Sequence, residues 1–352
     1  MLPILRRPLR LAALALFLAL SGPAAATTSL DATLLAATLE RAASFPRLRT
    51  LIVARHGVPL VERVFRGPGL DRPVNIKSAA KSVLSALIGI AIDRGVLEGI
   101  DQPVAPILGP LVPADADPRV QAITVGHLLG MRAGLERTSG PNYGRWVTSR
   151  DWVRFALSRP FVDEPGGRTL YSTGSSHLLS AVLTRASGRS TLALARDWLG
   201  EPLGITIPPW PRDPQGFYFG GNDMLLSPRA LLRFGELYRN GGLHEGRRVL
   251  PESWVRASWE PQVSSPFTGH AYGYGWFVAQ ARGHPVRYAW GYGGQMLYVV
   301  PSLALTVVMT SDPTSPSDRD GYVRELHALL ADGIVPAAER GADGRDDPVS
   351  VL

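Results

Sequence analysis

NIKSAAKSVLSALIGIAIDRG, residues Asn75–Gly95, is the stretch whose reading decides the fold. From Ser78 to Arg94 it carries Val83, Leu84, Leu87, Ile88, Ile90, Ala91 and Ile92, with Gly95 placed to stop a helix. The apolar positions run almost all the way round, which predicts a buried central helix rather than an amphipathic surface one. At its start, Ser78 and Lys81 stand three residues apart. That spacing puts both on one helix face, with the lysine amine in reach of the serine hydroxyl. A serine is a poor nucleophile until a base takes its proton, and a lysine is a base only when neutral. An apolar helix supplies the desolvation that lowers a lysine pKa, and the helix N-terminus favours a developing alkoxide.

Composition sharpens this. The chain has 37 Lys and Arg, of which only Lys77 and Lys81 are lysines. A sequence so poor in lysine has placed both beside one serine. Ser82 and Ser85 have no lysine three residues on and read as packed helix residues. The formal charge of +7 includes Arg6, Arg7 and Arg10, and the remaining arginines are dispersed, with no basic stripe interleaved with aromatics. Nucleic-acid partners are therefore not expected. With no cysteine there is no disulfide framework, thiolate nucleophile or lipobox. The seven histidines show no metal-binding spacing, and His127 and His177 read as structural, so neither metal nor cofactor is expected. No G-x-S-x-G elbow is present.

Outward from the central helix, Leu30 to Ala43 has helical spacing. Leu51 to Phe65 reads as a hairpin turning at His56-Gly57. Between Asp101 and Pro261 lie short helical runs (Thr124–Leu129, Ser149–Leu157, Ser175–Ala186, Ser227–Asn240) among Pro and Gly. Strand signals return at Tyr272–Gln280, Val286–Trp290 and Gln295–Ser311, the last broken at Pro301-Ser302, and Asp318–Ala331 closes as a helix. Strands at both ends with helices between them predict an α+β fold with one sheet assembled from both termini. The expected division is a sheet sub-domain over 27–98 and 265–335 and a helical sub-domain over about 99–264. A polar, flexible tail is expected over 336–352. Residues 1–26 read as a signal peptide: a basic start, the apolar run Leu11–Leu20 and a small-residue site at Ala24-Ala25-Ala26. The run is short of the roughly 20 residues a span requires. Cleavage and a periplasmic or secreted protein are thus expected, without stable membrane insertion. The Arg6-Arg7 pair leaves the Sec and twin-arginine routes both open.

The stretch Asn75–Gly95 resembles the nucleophile helix of the serine β-lactamase/penicillin-binding superfamily. The likeness runs on through TVGHLLGMRAGL (Thr124–Leu135), TLYSTGSSHLLSAVLTRASG (Thr169–Gly188), EPLGI (Glu201–Ile205), DPQG (Asp213–Gly216) and LLSPRALLRFGELYRNGG (Leu225–Gly242). It ends with YGYGW (Tyr272–Trp276) and WGYGGQMLYVVP (Trp290–Pro301). The class C β-lactamases, esterases and 6-aminohexanoate-dimer hydrolases are the branches it looks most like. The resemblance implies an antiparallel sheet flanked by helices, an all-helical domain beside it, and a site in the groove between them. It implies Ser78 as nucleophile, Lys81 as base, and Tyr171 as the phenol sharing the proton, with opposite charge favouring a phenolate beside a lysine ammonium. Thr173 stands where the family usually has Asn, so an amide that would bind substrate is missing. The family's third motif, a Lys or His before Gly, falls at Ala289-Trp290-Gly291 with no basic residue. That absence argues against β-lactams and D-Ala-D-Ala peptides and for a small ester or amide. The backbone N–H groups of Ser78 and Tyr292 are the implied oxyanion hole. Trp290, Gly291, Thr173 and Tyr143 are the expected substrate contacts, with Trp146 a further cleft-lining candidate. Asp213 and Asp223 lie in turn-rich sequence and carry no assigned role. The competing readings are a β-lactam or D-Ala-D-Ala hydrolase and a penicillin-binding sensor that acylates without turnover.

Overall fold

The computed structural model describes residues 29–265, 268–314 and 321–342. Helix α1 (Ala32–Ser44) opens the described chain, its first turn capped by Asp31, whose side chain accepts the Leu34 N–H at 2.8 Å. Strands β1 (Leu48–Arg55) and β2 (Val58–Val64) form the expected hairpin. Both turn residues, His56 and Gly57, have positive φ, as a turn matched to strand twist requires. Helix α2 (Ala80–Asp93) is the central helix, and Gly95 ends it in the left-handed conformation. Then come α3 (Thr173–Ser187), α4 (Pro228–Arg239) and α5 (Glu252–Trp259). Six further strands follow: β3 (Val263–Ser264), β4 (Ala271–Tyr272), β5 (Phe277–Ala281), β6 (His284–Gly291), β7 (Gln295–Val300) and β8 (Leu305–Ser311). The described chain closes with α6 (Tyr322–Ala328) and α7 (Val335–Ala342), joined by a π turn.

All eight strands form one antiparallel sheet in the order β2-β1-β8-β7-β6-β5-β4-β3. The two chain ends meet where β1 pairs with β8 from Leu48 to Arg55, the arrangement that the sequence predicts. Side chains alternate between two apolar layers. Ile52, Ala54, Leu297, Val299 and Val308 face α2 and α4. Leu51, Val53, Met296, Tyr298, Val307 and Met309 face α1, α6 and α7. With both faces covered, the strands read as unbroken apolar runs, whereas edge strand β2 is exposed except at Val61.

Helix α2 is buried from Ala80 to Ala91, wedged between the sheet and the helical region, as its all-round apolar pattern requires. Gly89 makes the wedge possible: a Cβ there would lie 2.3 Å from the Trp254 ring of α5.

Two boundaries differ from the sequence reading. Helix α4 packs on β7 and β8, with Gly235 admitting Leu297 and Thr306, so the chain rejoins the sheet layer near Leu225 instead of 265. Its amphipathic pattern announces a helix but not the layer it covers. The polar tail expected from Pro336 instead starts as α7. Ala337 and Ala338 are buried, and Asp31 donates its N–H to the Ala337 carbonyl at 2.8 Å. The expected signal peptide, residues 318–320 of the closing helix and the tail beyond Ala342 lie outside the described residues. Among the described residues, no helix is long and apolar enough to cross a membrane.

Candidate active site

Ser78 sits in a single 3-10 turn, Lys77–Ala79, that leads into α2. Lys77 is left-handed (φ 50°), and its N–H is accepted by Asn75 Oδ1 at 2.8 Å. The turn is strapped from outside. Val74 and Asn75 pair with Leu226 and Leu225, and the Ile76 N–H donates to the Met224 carbonyl at 3.0 Å.

One helical turn further on, Lys81 Nζ lies 3.1 Å from Ser78 Oγ, as the spacing predicts. Lys81 is 4% exposed. Nζ also donates to the Gly221 carbonyl at 2.8 Å and, more weakly, to Thr173 Oγ1 at 3.5 Å. A neutral amine has two N–H bonds and one lone pair. Gly221 and Thr173 take the two hydrogens, which leaves the lone pair for the serine proton. Burial lowers the Lys81 pKa to about 7, against the raising pull of Asp223, so the base form is populated near neutrality. Only glycine fits at 221, where φ is 68° and a Cβ would stand 2.6 Å from Lys81 Cγ.

Tyr171 lies just ahead of α3, its ring centroid 5.1 Å from Lys81 Nζ and edge-on to Tyr272 at 6.0 Å. Burial pushes its phenol up to about 12, against the opposing effect of its hydrogen bond with Ser78. Burial therefore favours the neutral phenol, opposing the phenolate that a neighbouring lysine ammonium would favour.

Thr173, expected as a substrate contact, lies beside Lys81 with its hydroxyl 3.5 Å from Nζ. It is buried, its hydroxyl lies 3.0 Å from Ser139 Oγ, and its N–H donates to that same oxygen at 2.9 Å. Tyr143 stands at the rim, its hydroxyl accepting from Asn222 Nδ2 at 3.0 Å. Burial, and secondarily Asp223, push its phenol up to about 12. Trp146 is fully buried against Tyr143 and Trp152, and so is packing, not cleft wall.

Strand β6 pairs with β5 only as far as Tyr288, leaving Ala289–Gly291 free on that edge. Gly291 lies against the nucleophile turn, where a Cβ would sit 2.1 Å from the Ile76 carbonyl. The Gly291 carbonyl accepts the Gly294 N–H at 3.1 Å within the β6–β7 hairpin. Across a trans peptide the next N–H points the opposite way, so the Tyr292 amide faces the free edge. The Ser78 amide belongs to a first helical turn, where N–H groups have no intrahelical acceptor. The Trp290 indole goes elsewhere. It packs near Phe277 and lines a cavity of about 460 Å³ whose wall includes His270, Tyr288, Tyr298 and His327 but none of Ser78, Lys81 and Tyr171.

Sequence reasoning left three participants without a role: Gly221, Asn222 and Asp223. Asp223 Oδ1 accepts from Lys77 Nζ and from Asn75 Nδ2, each at 2.8 Å. The scarcity of lysine pointed at Lys77, but nothing local names a partner 146 positions away. Asp213, by contrast, is buried against His177 at 2.9 Å, well inside the helical region.

Residues 50–332 match the family model described as Beta-lactamase. Among solved structures, the chain is similar to EstCE1, a hydrolase with promiscuous acyltransferase activity. That match has TM-score 0.71 at 18% identity and covers 86% of this chain and 98% of that one. A candidate 6-aminohexanoate-dimer hydrolase from Bacillus anthracis matches at TM-score 0.70 and 18% identity, covering 86% and 81%. A D-stereospecific amidohydrolase from Streptomyces matches at 0.66 and 18%, covering 85% and 99%. At such identities these structures speak for the fold.

Proposed function

The chain belongs to the beta-lactamase family of serine hydrolases, and from that premise we propose that it is an exported enzyme cleaving an ester or small amide through an acyl-Ser78 intermediate. The observation that carries the reading is the buried Lys81 amine 3.1 Å from Ser78 Oγ, with neutral acceptors on its two other sides. Lys81 takes the serine proton as Oγ attacks the substrate carbonyl. The Ser78 and Tyr292 amides receive the oxyanion. The neutral Tyr171 hydroxyl gives its proton to the leaving group while taking the one held by Lys81. In deacylation it gives its proton to Lys81 while taking one from the attacking water, and Lys81 returns that proton to Ser78 Oγ as the acyl group leaves. No metal or cofactor has a part in this scheme.

A small ester or amide is favoured over a β-lactam because Ala289-Trp290-Gly291 offers no cation for a substrate carboxylate. Export to the periplasm or medium rests on Arg6, Arg7 and Arg10 followed by Leu11–Leu20 and Ala24-Ala25-Ala26. A secreted product with an N-terminus near Thr27 would bear it out.

Intact mass after mixing with a p-nitrophenyl short-chain ester, wild type beside Ser78→Ala, tests the mechanism. An adduct on the wild type only, with steady nitrophenol release, is the expected result. A stable adduct without turnover would instead make the protein a penicillin-binding-type sensor. Equal rates in both proteins would remove Ser78 as nucleophile for that ester.

A further inference from the structure

The second lysine of the chain has no part in the scheme above, yet it precedes the nucleophile directly. Lys77 Nζ is held at 2.8 Å by Asp223 Oδ1, and the same oxygen accepts Asn75 Nδ2 at 2.8 Å. Asn75 closes the ring by accepting the Lys77 N–H. Three side chains from two distant segments therefore tie one turn, and the two charged ones, Lys77 and Asp223, both have left-handed backbones (φ 50° and 54°). Non-glycine residues hold that conformation when their surroundings fix it. The pair is about one-fifth to one-quarter exposed, so its charges are only partly screened.

We propose that Asp223 is a positioning residue: it clamps the Lys77 turn that presents Ser78, and its charge, balanced by Lys77, sets the electrostatic surroundings of Lys81. The proposal rests on the reading of Ser78 and Lys81 as nucleophile and base. The ionisable groups around Lys81 are Lys77 on its own element, Tyr171 ahead of α3, and Asp223 on the loop that carries Gly221. Beyond them, Tyr143 feels Asp223 and Tyr272 packs on Tyr171, both phenols kept neutral by burial. Among the described residues, Asp223 is the one acidic group whose charge acts on Lys81.

The test compares Asp223→Asn with Lys77→Met in the pH profile of p-nitrophenyl ester hydrolysis. Asn tolerates positive φ and can still accept both hydrogen bonds, so Asp223→Asn removes the charge with the least change of shape. It leaves Lys77 unopposed, which favours neutral Lys81. The acid limb of kcat/KM moves to lower pH by about half a pH unit or more. That gives about threefold more of the plateau rate at pH 6. Lys77→Met leaves Asp223 unopposed and moves the limb the other way. Both variants also lose several-fold in kcat as the turn loosens.

Opposite displacements support the proposal. Limbs that stay put, or move together, overturn it, because a merely structural pair would lower kcat in both without separating the profiles. If one variant does not fold by circular dichroism, the direction of the other's limb still decides. Ser78→Ala runs alongside: activity remaining there sinks the nucleophile assignment itself, an outcome distinct from unmoved limbs.

Discussion

Two buried polar centres lie beside helix α3, and the Gly220-Gly221 pair serves both. At one, Gly220 donates its N–H to His177 Nδ1 at 3.3 Å, which places the ring proton on Nε2, where Asp213 accepts it at 2.9 Å. Asp213 Oδ1 in turn accepts the Gln215 and Phe217 N–H groups. At the other, the Gly221 carbonyl accepts from Lys81, which has no carboxylate in contact. Both side chains are almost wholly buried. The difference teaches that burial alone does not make a reactive group. His177 has every polar atom matched and reads as a fastener. Lys81 is buried with neutral partners only, so its charged form is penalised and its lone pair is left over.

The sharpest break of this comparison is a pair of substitutions. Lys81→Met should reduce kcat/KM by about 10³-fold or more while leaving the melting temperature unchanged or higher, since it removes a desolvated amine and keeps the packing. His177→Ala should cost about 2–4 kcal/mol of stability in a denaturant melt, leaving a cavity and an unmatched Asp213. If Lys81→Met unfolds the protein, or His177→Ala abolishes turnover in a protein that melts like the wild type, the contrast is wrong.

Next in size is Tyr171→Phe. The neutral phenol is the only relay assigned between Ser78 and the leaving group, so its loss should lower kcat by about 10²-fold. The effect should be smaller for a p-nitrophenyl ester, whose leaving group needs no proton, than for an anilide. Equal losses on both substrates would argue that Tyr171 only packs against Tyr272.

The pH behaviour follows from the depressed Lys81 pKa and has two signatures. Below about 7 the base is protonated, so kcat/KM should fall about tenfold per pH unit on the acid side. For stability the sign runs the other way from a salt-bridged lysine. Between about 7 and the ordinary lysine value of 10.5, the unfolded chain holds a proton that the native state lacks. Stability relative to Lys81→Met should therefore rise with pH across that window. A relative stability that is flat or falls there would mean that Lys81 is charged in the native state.

Much of this was legible from local pattern. The all-round apolar helix, the hairpin at His56-Gly57 and the Ser78–Lys81 spacing each reflect contacts within a few residues. The sheet closed as expected because strand signals at both ends have no other partner. What escaped was long-range. Helix α4 carries an amphipathic stripe that fits either layer, and only its seat on β7 and β8 decides. The Lys77–Asp223 pair joins segments that the sequence gives no reason to align. The burial that favours a neutral phenol at Tyr171 comes from neighbours that no motif encodes.

The smallest effect probes the neutral acceptors themselves. If Lys81 is kept reactive by having its two hydrogens occupied, removing the weaker acceptor should loosen the amine without changing its charge. Thr173→Val keeps the shape and removes Oγ1, which lies 3.5 Å from Nζ and 3.0 Å from Ser139 Oγ. A hydrogen bond at that length is weak, so a fall in kcat of about two- to fivefold is expected, with KM unchanged. Ser139→Ala should follow it in direction, because Ser139 holds Thr173 through both its N–H and its hydroxyl. A rise in KM instead of a fall in kcat would return Thr173 to the substrate wall. In that case the lone-pair orientation of Lys81 would have to come from the Gly221 carbonyl alone.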